Sequence, residues 1–111
     1  PDGIDVVLST NDDMAMAVVR TISDSGSAAY ENTIVCGFDG NQSAIEAVQS
    51  NTLALDVAQN GYDMGYKAVE AAINVLEGQS VESFIDSGST IVDASNVDAF
   101  IADMQDKGLW E

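Results

Sequence analysis

The chain has 111 residues, 46% of them apolar and 20% charged, enough apolar material for a packed domain and too much for a disordered one. Nineteen acids face three bases (Arg20, Lys67 and Lys107), and the net charge of -16 repels nucleic-acid backbones and anionic lipid surfaces. The absence of histidine and the single cysteine, Cys36, remove His-dependent triads, His-ligated zinc and an internal disulfide.

The first predicted element is a strand over Ile4 to Ser9, buried because Val6, Val7 and Leu8 run together instead of alternating. A helix follows from Asp12 to about Ser23, with Met14, Ala17, Val18 and Ile22 on one stripe and Gly26 as its stop. Thr33 to Phe38 (TIVCGF) reads as a second buried strand, closed by the Asp39-Gly40 turn. A short helix over Ser43 to Gln49 turns Ala44, Ile45, Ala47 and Val48 inward. Leu53 to Ala58 is a third strand.

The longest predicted helix spans Asn60 to Glu77. Met64, Ala68, Val69, Ala72, Val75 and Leu76 recur at helical spacing, and Gly78 stands as its C-terminal cap. Val81 to Val92 carries short extended pieces broken by Ser87-Gly88-Ser89. A last helix is expected behind a capping box of Ser95 and Asp98, with Val97, Phe100, Ile101 and Met104 inward and Gly108 at its end. Repeated strand–helix units of this length predict an α/β fold with an open parallel sheet and flanking helices.

In such a sheet, ligands bind beyond the C-terminal ends of the strands. Asn11 follows the first strand, Asp39 the second and Gln59 the third. Two amides and a carboxylate can each bridge neighbouring hydroxyls, which suits a neutral polyhydroxylated ligand such as a sugar. Each also has an ordinary structural role open to it. Asn11 can cap a helix, Asp39 can make a turn, and Gln59 can be a plain loop residue.

Other constellations fail. Asp12, Asp13 and Asp39 look like the acidic pocket of a phosphoacceptor domain, but the lysine such a pocket needs at a later strand end is absent. Asp39-Gly40-Asn41 starts like a calcium loop without the remaining spaced oxygens. No nucleophile elbow, P-loop or dinucleotide fingerprint occurs, and Cys36 sits in a buried strand without a basic neighbour. No catalytic residue, metal ligand or cofactor site is expected. Met14, Met16, Phe100 and Trp110 are expected to pack.

Three blocks carry a resemblance: STNDDMAMAVVRTI, IVCGFDGNQSAIEAVQSN and ALDVAQNGYDMGYKAVEAAINVLEG. Their order and spacing resemble the C-terminal third of ribose-type periplasmic sugar-binding proteins, over about Asp5 to Val92. The final helix, Asn96 to Lys107, is similar to the C-terminal extension of many relatives. The resemblance implies a binding module, not an enzyme. Two lobes close on a pentose or hexose, and the closed form docks on the membrane permease of an ABC importer. It implies sugar contacts from Asn11 of the ND pair, Asp39 of the FDG turn and Gln59 of the AQ pair, and a periplasmic or lipid-anchored location.

The resemblance further implies that residues 1–59 and 87–111 belong to the C-terminal lobe and 60–86 to the N-terminal lobe. Hinge crossings then fall at Asn60-Gly61 and Ser87-Gly88, where glycine eases the dihedral change. An N-terminal part of the same protein, upstream of Pro1, is the expected partner that completes the site. Two alternatives share the fold. One is the effector-binding core of a lactose-repressor-type transcription regulator; the other is a sugar or autoinducer sensor serving a receptor kinase.

Overall fold

A computed structural model describes residues 2–111. Four strands form one sheet in the order β1-β2-β3-β4: β1 (Val6–Leu8), β2 (Ile34–Asp39), β3 (Leu55–Gln59) and β4 (Ser89–Asp93). β1 pairs with β2 and β2 with β3, both in parallel, with Leu8 opposite Cys36, Gly37 opposite Asp56 and Asp39 opposite Ala58. The helices are α1 (Asp12–Ser25), α2 (Gln42–Gln49), α3 (Gly61–Leu76) and α4 (Val97–Asp106), with a short 3-10 turn at Ala28–Tyr30. This is the α/β open sheet that the strand–helix alternation predicts.

The chain divides into two compact units. One holds the residues up to Ala58 together with Ile91–Glu111; the other is Gln59–Thr90. The core of the first unit is built from Ala15, Val35, Ala44, Ile45, Ala47, Val48, Leu53, Ala58, Val92 and Val97. All four apolar positions assigned to the inward face of α2 are buried there. Phe100 and Trp110 pack against the core edge to face, their ring centroids 5.8 Å apart. Cys36 is buried within β2, and loss of water pushes its thiol pKa up, as suits an inert core residue.

Two expectations need correction here. β1 is not buried on both faces. It forms a sheet edge on which Val7 packs against the core, while Val6 and Leu8, 49% and 77% exposed, point to the opposite face by simple strand alternation. Met14 is likewise exposed rather than packed.

The last helix also starts differently. Asn96 is its N-cap, and the Ser95 hydroxyl does not cap the helix but donates to Asp93 Oδ1 at 2.5 Å. Asn96 instead stitches the turn to β4, accepting from the Asp93 N–H at 2.8 Å and donating to the Ile91 carbonyl at 2.8 Å.

In the second unit, Asn60 caps α3, its amide oxygen accepting from the Asp63 N–H and its amide nitrogen donating to Asp63 Oδ2 at 2.7 Å. Lys67 Nζ donates to the Asp86 carbonyl at 2.6 Å, and Asp86 Oδ1 accepts from the Gly88 N–H at 2.8 Å. α3 buries none of its residues, and Val69, Val75 and Leu76 of its apolar stripe stand exposed.

Ile45 is completely buried at the centre of the first unit. Ile45→Ala is expected to cost about 2–5 kcal/mol, from lost transfer energy and the cavity left behind. Urea unfolding of the intact protein checks it, and a loss well under 1 kcal/mol would contradict this core.

Candidate functional site

The site is built from the C-terminal ends of β1 and β2 and the loops that leave them. Asn11 is the N-cap of α1: its amide oxygen accepts the Met14 N–H at 2.9 Å. Capping occupies the oxygen only, so the amide NH2 is the end that can donate to a ligand. Asp39 closes β2, half-buried, with φ at 135°. For a residue with a side chain this is strained backbone, of the kind held in place at ligand sites by surrounding contacts.

Gly40 follows with φ at 84°, and a Cβ there would lie 2.6 Å from the Ala58 Cβ. Only glycine fits this turn. Gln59, the last residue of β3, is exposed and opens the second unit.

Beneath the turn lie two carboxyls that the sequence reading left without a role in the site. Asp12, at the first position of α1, and Asp56, the second residue of β3, are both completely or almost completely buried. Asp12 Oδ2 accepts the Asn41 backbone N–H at 2.7 Å. Its other oxygen and both oxygens of Asp56 receive no hydrogen bond from an N–H or hydroxyl among the described residues. The two groups meet over Gly37: a Cβ on that residue would stand 2.5 Å from Asp12 Oδ1 and 2.5 Å from Asp56 Oδ2. The missing side chain makes the space that both carboxyls fill.

Burial is the main force on Asp56 and pushes its pKa up to about 8; the hydrogen bond with Asp12 and the negative charges of Asp12 and Asp39 act the same way. The Gly40 N–H opposes them by favouring the ionised form, but it makes no full hydrogen bond. Burial thus favours the protonated form of Asp56, with Asp12 as the neighbouring acceptor for its proton.

Residues 1–80 match the model of the periplasmic binding protein domain. The chain belongs to that family.

Among curated relatives of this periplasmic binding protein domain, the ribose import binding protein of Bacillus subtilis (strain 168) is 36% identical over 85 residues, 77% of this chain and 26% of that protein. The ribose import binding protein of Escherichia coli (strain K12) is 35% identical over 83 residues, 75% of this chain and 27% of that protein. The chain thus spans about a quarter of the length of these relatives.

Two solved structures are similar over most of the chain. An ABC transporter solute binding protein from Agrobacterium vitis with bound D-fucose has 34% identity and a TM-score of 0.77, covering 89% of this chain and 33% of that one. One from Bacillus halodurans with bound myo-inositol has 28% identity and a TM-score of 0.78, again covering 89% and 33%.

The raised pKa of Asp56 fixes the sign of a pH effect. The folded state keeps a proton that the unfolded chain releases near pH 4, so this group's contribution to stability is complete below that pH. It is lost progressively as the pH rises towards about 8 and is flat beyond. The slope in that window is on the order of 1 kcal/mol per pH unit. Asp56→Asn, which keeps the shape and a donor, is expected to remove this component. Thermal melts of the two proteins between pH 5 and 8 check it; parallel pH profiles would contradict the protonated Asp56.

Proposed function

We propose that the full-length protein is the solute-binding component of a sugar ABC importer. It binds a pentose or hexose between two lobes and delivers it to a membrane permease. The observation that carries this reading is the set of polar side chains at three strand ends, Asn11, Asp39 and Gln59, in a family whose solved members hold D-fucose, D-allose and myo-inositol. Asp39 accepts from two sugar hydroxyls, Asn11 donates through its amide NH2, and Gln59 uses both ends of its amide. This is binding without turnover: the residues at the strand ends offer hydrogen bonds and no activated nucleophile.

The division of the chain supports a two-lobe layout, with a C-terminal lobe of residues 1–59 and 87–111 and a contribution of 60–86 to the N-terminal lobe. The compact units separate after Ala58 and after Thr90, close to the crossings proposed at Asn60-Gly61 and Ser87-Gly88. The exposed apolar stripe of α3 fits a partner sheet supplied by the rest of the full-length protein, since the chain spans only about a quarter of its relatives. An importer component of this kind works in the periplasm or lipid-anchored on the outer face of the membrane.

Titration calorimetry of the full-length protein with a monosaccharide panel tests the site. Asp39→Ala is expected to lose the most, about 1.5–3 kcal/mol, because it removes a charged acceptor. Gln59→Ala is expected to cost about 1 kcal/mol. Asn11→Asp keeps the helix cap but replaces the donor by a negative charge, so it is expected to weaken binding while leaving the helix capped. Unchanged affinity in the Asp39 variant would remove that residue from the site.

A further inference from the structure

We propose that Asp12 and Asp56 form a proton-sharing pair that positions the Asp39-Gly40-Asn41 turn, so that loss of the shared proton loosens the turn and weakens ligand binding. The inference rests on the sugar-binding reading for its ligand and on the first unit alone for its geometry. Neither residue touches the ligand; both are positioning residues.

Four observations meet at this point. Both carboxyls are buried, and among the described residues three of their four oxygens find no N–H or hydroxyl donor, so a proton between them would supply a hydrogen bond. The fourth oxygen, Asp12 Oδ2, holds the Asn41 N–H at 2.7 Å, one residue beyond the Gly40 turn. Gly37 lies opposite Asp56 in the sheet and is bare on the side where the carboxyls meet. Asp39, the residue expected to take the sugar hydroxyls, is strained at φ 135° and stands two residues before the Asn41 N–H that Asp12 holds.

The charged groups that bear on Asp56 are Asp12, from the start of α1, and Asp39, from the end of β2. Both are acids. The rest of the surroundings do not offset them: α2 carries only the exposed Glu46, and the Asp93 carboxyl on β4 is engaged by Ser95. No basic residue is among the groups that shift Asp56.

Releasing the proton therefore replaces a hydrogen bond by two like charges in a water-poor space, with a third just above. The carboxyls must separate, and Asp12 cannot move without disturbing the Asn41 N–H that it holds. The turn shifts, and Asp39 with it. By linkage, a ligand that needs the turn in place makes the proton harder to remove by the same factor.

The test uses the full-length protein and two readouts. Carboxyl-carbon NMR should show Asp56 titrating near pH 8, with the Gly40 and Asn41 amide resonances shifting at the same midpoint. In Asp56→Asn those amide shifts should vanish. Calorimetry with whichever monosaccharide of the panel binds best should show affinity falling about fivefold between about pH 6.5 and about pH 9.5 in the natural protein, and flat in Asp56→Asn. Amides that stay fixed while Asp56 titrates overturn the proposal, as does an equal alkaline loss of affinity in both proteins. If no sugar binds at any pH, the sugar reading fails, and the amide titration of the natural protein still decides whether the pair controls the turn.

Discussion

The hydrogen bond from the Asn41 N–H to Asp12 joins what the sheet would otherwise leave separate: the start of α1 and the loop that leaves β2. Two parallel strands deliver their loops to the same end, but backbone pairing stops at the strand ends. Beyond that point, side chains must hold the loops in register. Asp12 does so from the first turn of a helix, where the positive end of the helix dipole favours a carboxylate. Asn11, one residue earlier, caps the same helix, so one short segment starts α1, supplies a residue of the proposed site and holds the turn beside it.

This arrangement is costly. Two carboxyls are taken out of water within reach of each other, and a buried charge is tolerated only when paired or neutralised. Here burial favours a retained proton on Asp56, and the neutral form takes the place of a salt bridge. The alternative of apolar side chains at 12 and 56 would stabilise the core more simply, but would leave the Asn41 N–H without an acceptor. Gly37 and Gly40 serve the same end from the other side. One makes room for the carboxyls, and the other lets the backbone pass against Ala58. Stability is given up at this end of the sheet for a fixed turn, the usual bargain at a binding site.

Much of the fold could be read from residues in sequence. The apolar stripe of α2, the Asn60–Glu77 pattern behind α3 and the glycine stops at Gly26 and Gly108 all rest on short-range periodicity and cap chemistry, which the sequence carries directly. β1 was harder, because a run such as Val6-Val7-Leu8 says that a strand is apolar and not which of its faces is covered. Ser95 misleads for a local reason: Asp93, two residues back, captures its hydroxyl before the helix can. Asn11, Asp39 and Gln59 stand out in the sequence because each lies at or just past the end of a predicted strand, which is the ground for proposing them as ligand contacts. The Asp12–Asp56 pair was not, since the partners are far apart in the chain and meet only through the β2–β3 register. An acid in the middle of an apolar strand, with a bare glycine on the neighbouring strand, was the available clue.

The two compact units set the scale of what this chain does alone. The relatives that it matches are about four times as long, so under the proposed function it supplies only part of the sugar site. A crystal structure of the full-length protein with a bound monosaccharide tests the central claim most directly. The sugar is expected to lie on the Asp39 carboxylate, with Asn11 donating to it and the Asp12 and Asp56 carboxyls still in contact beneath the turn. A sugar bound elsewhere, with Asp39 turned away and the two buried carboxyls apart, would contradict both the site and the device that holds it.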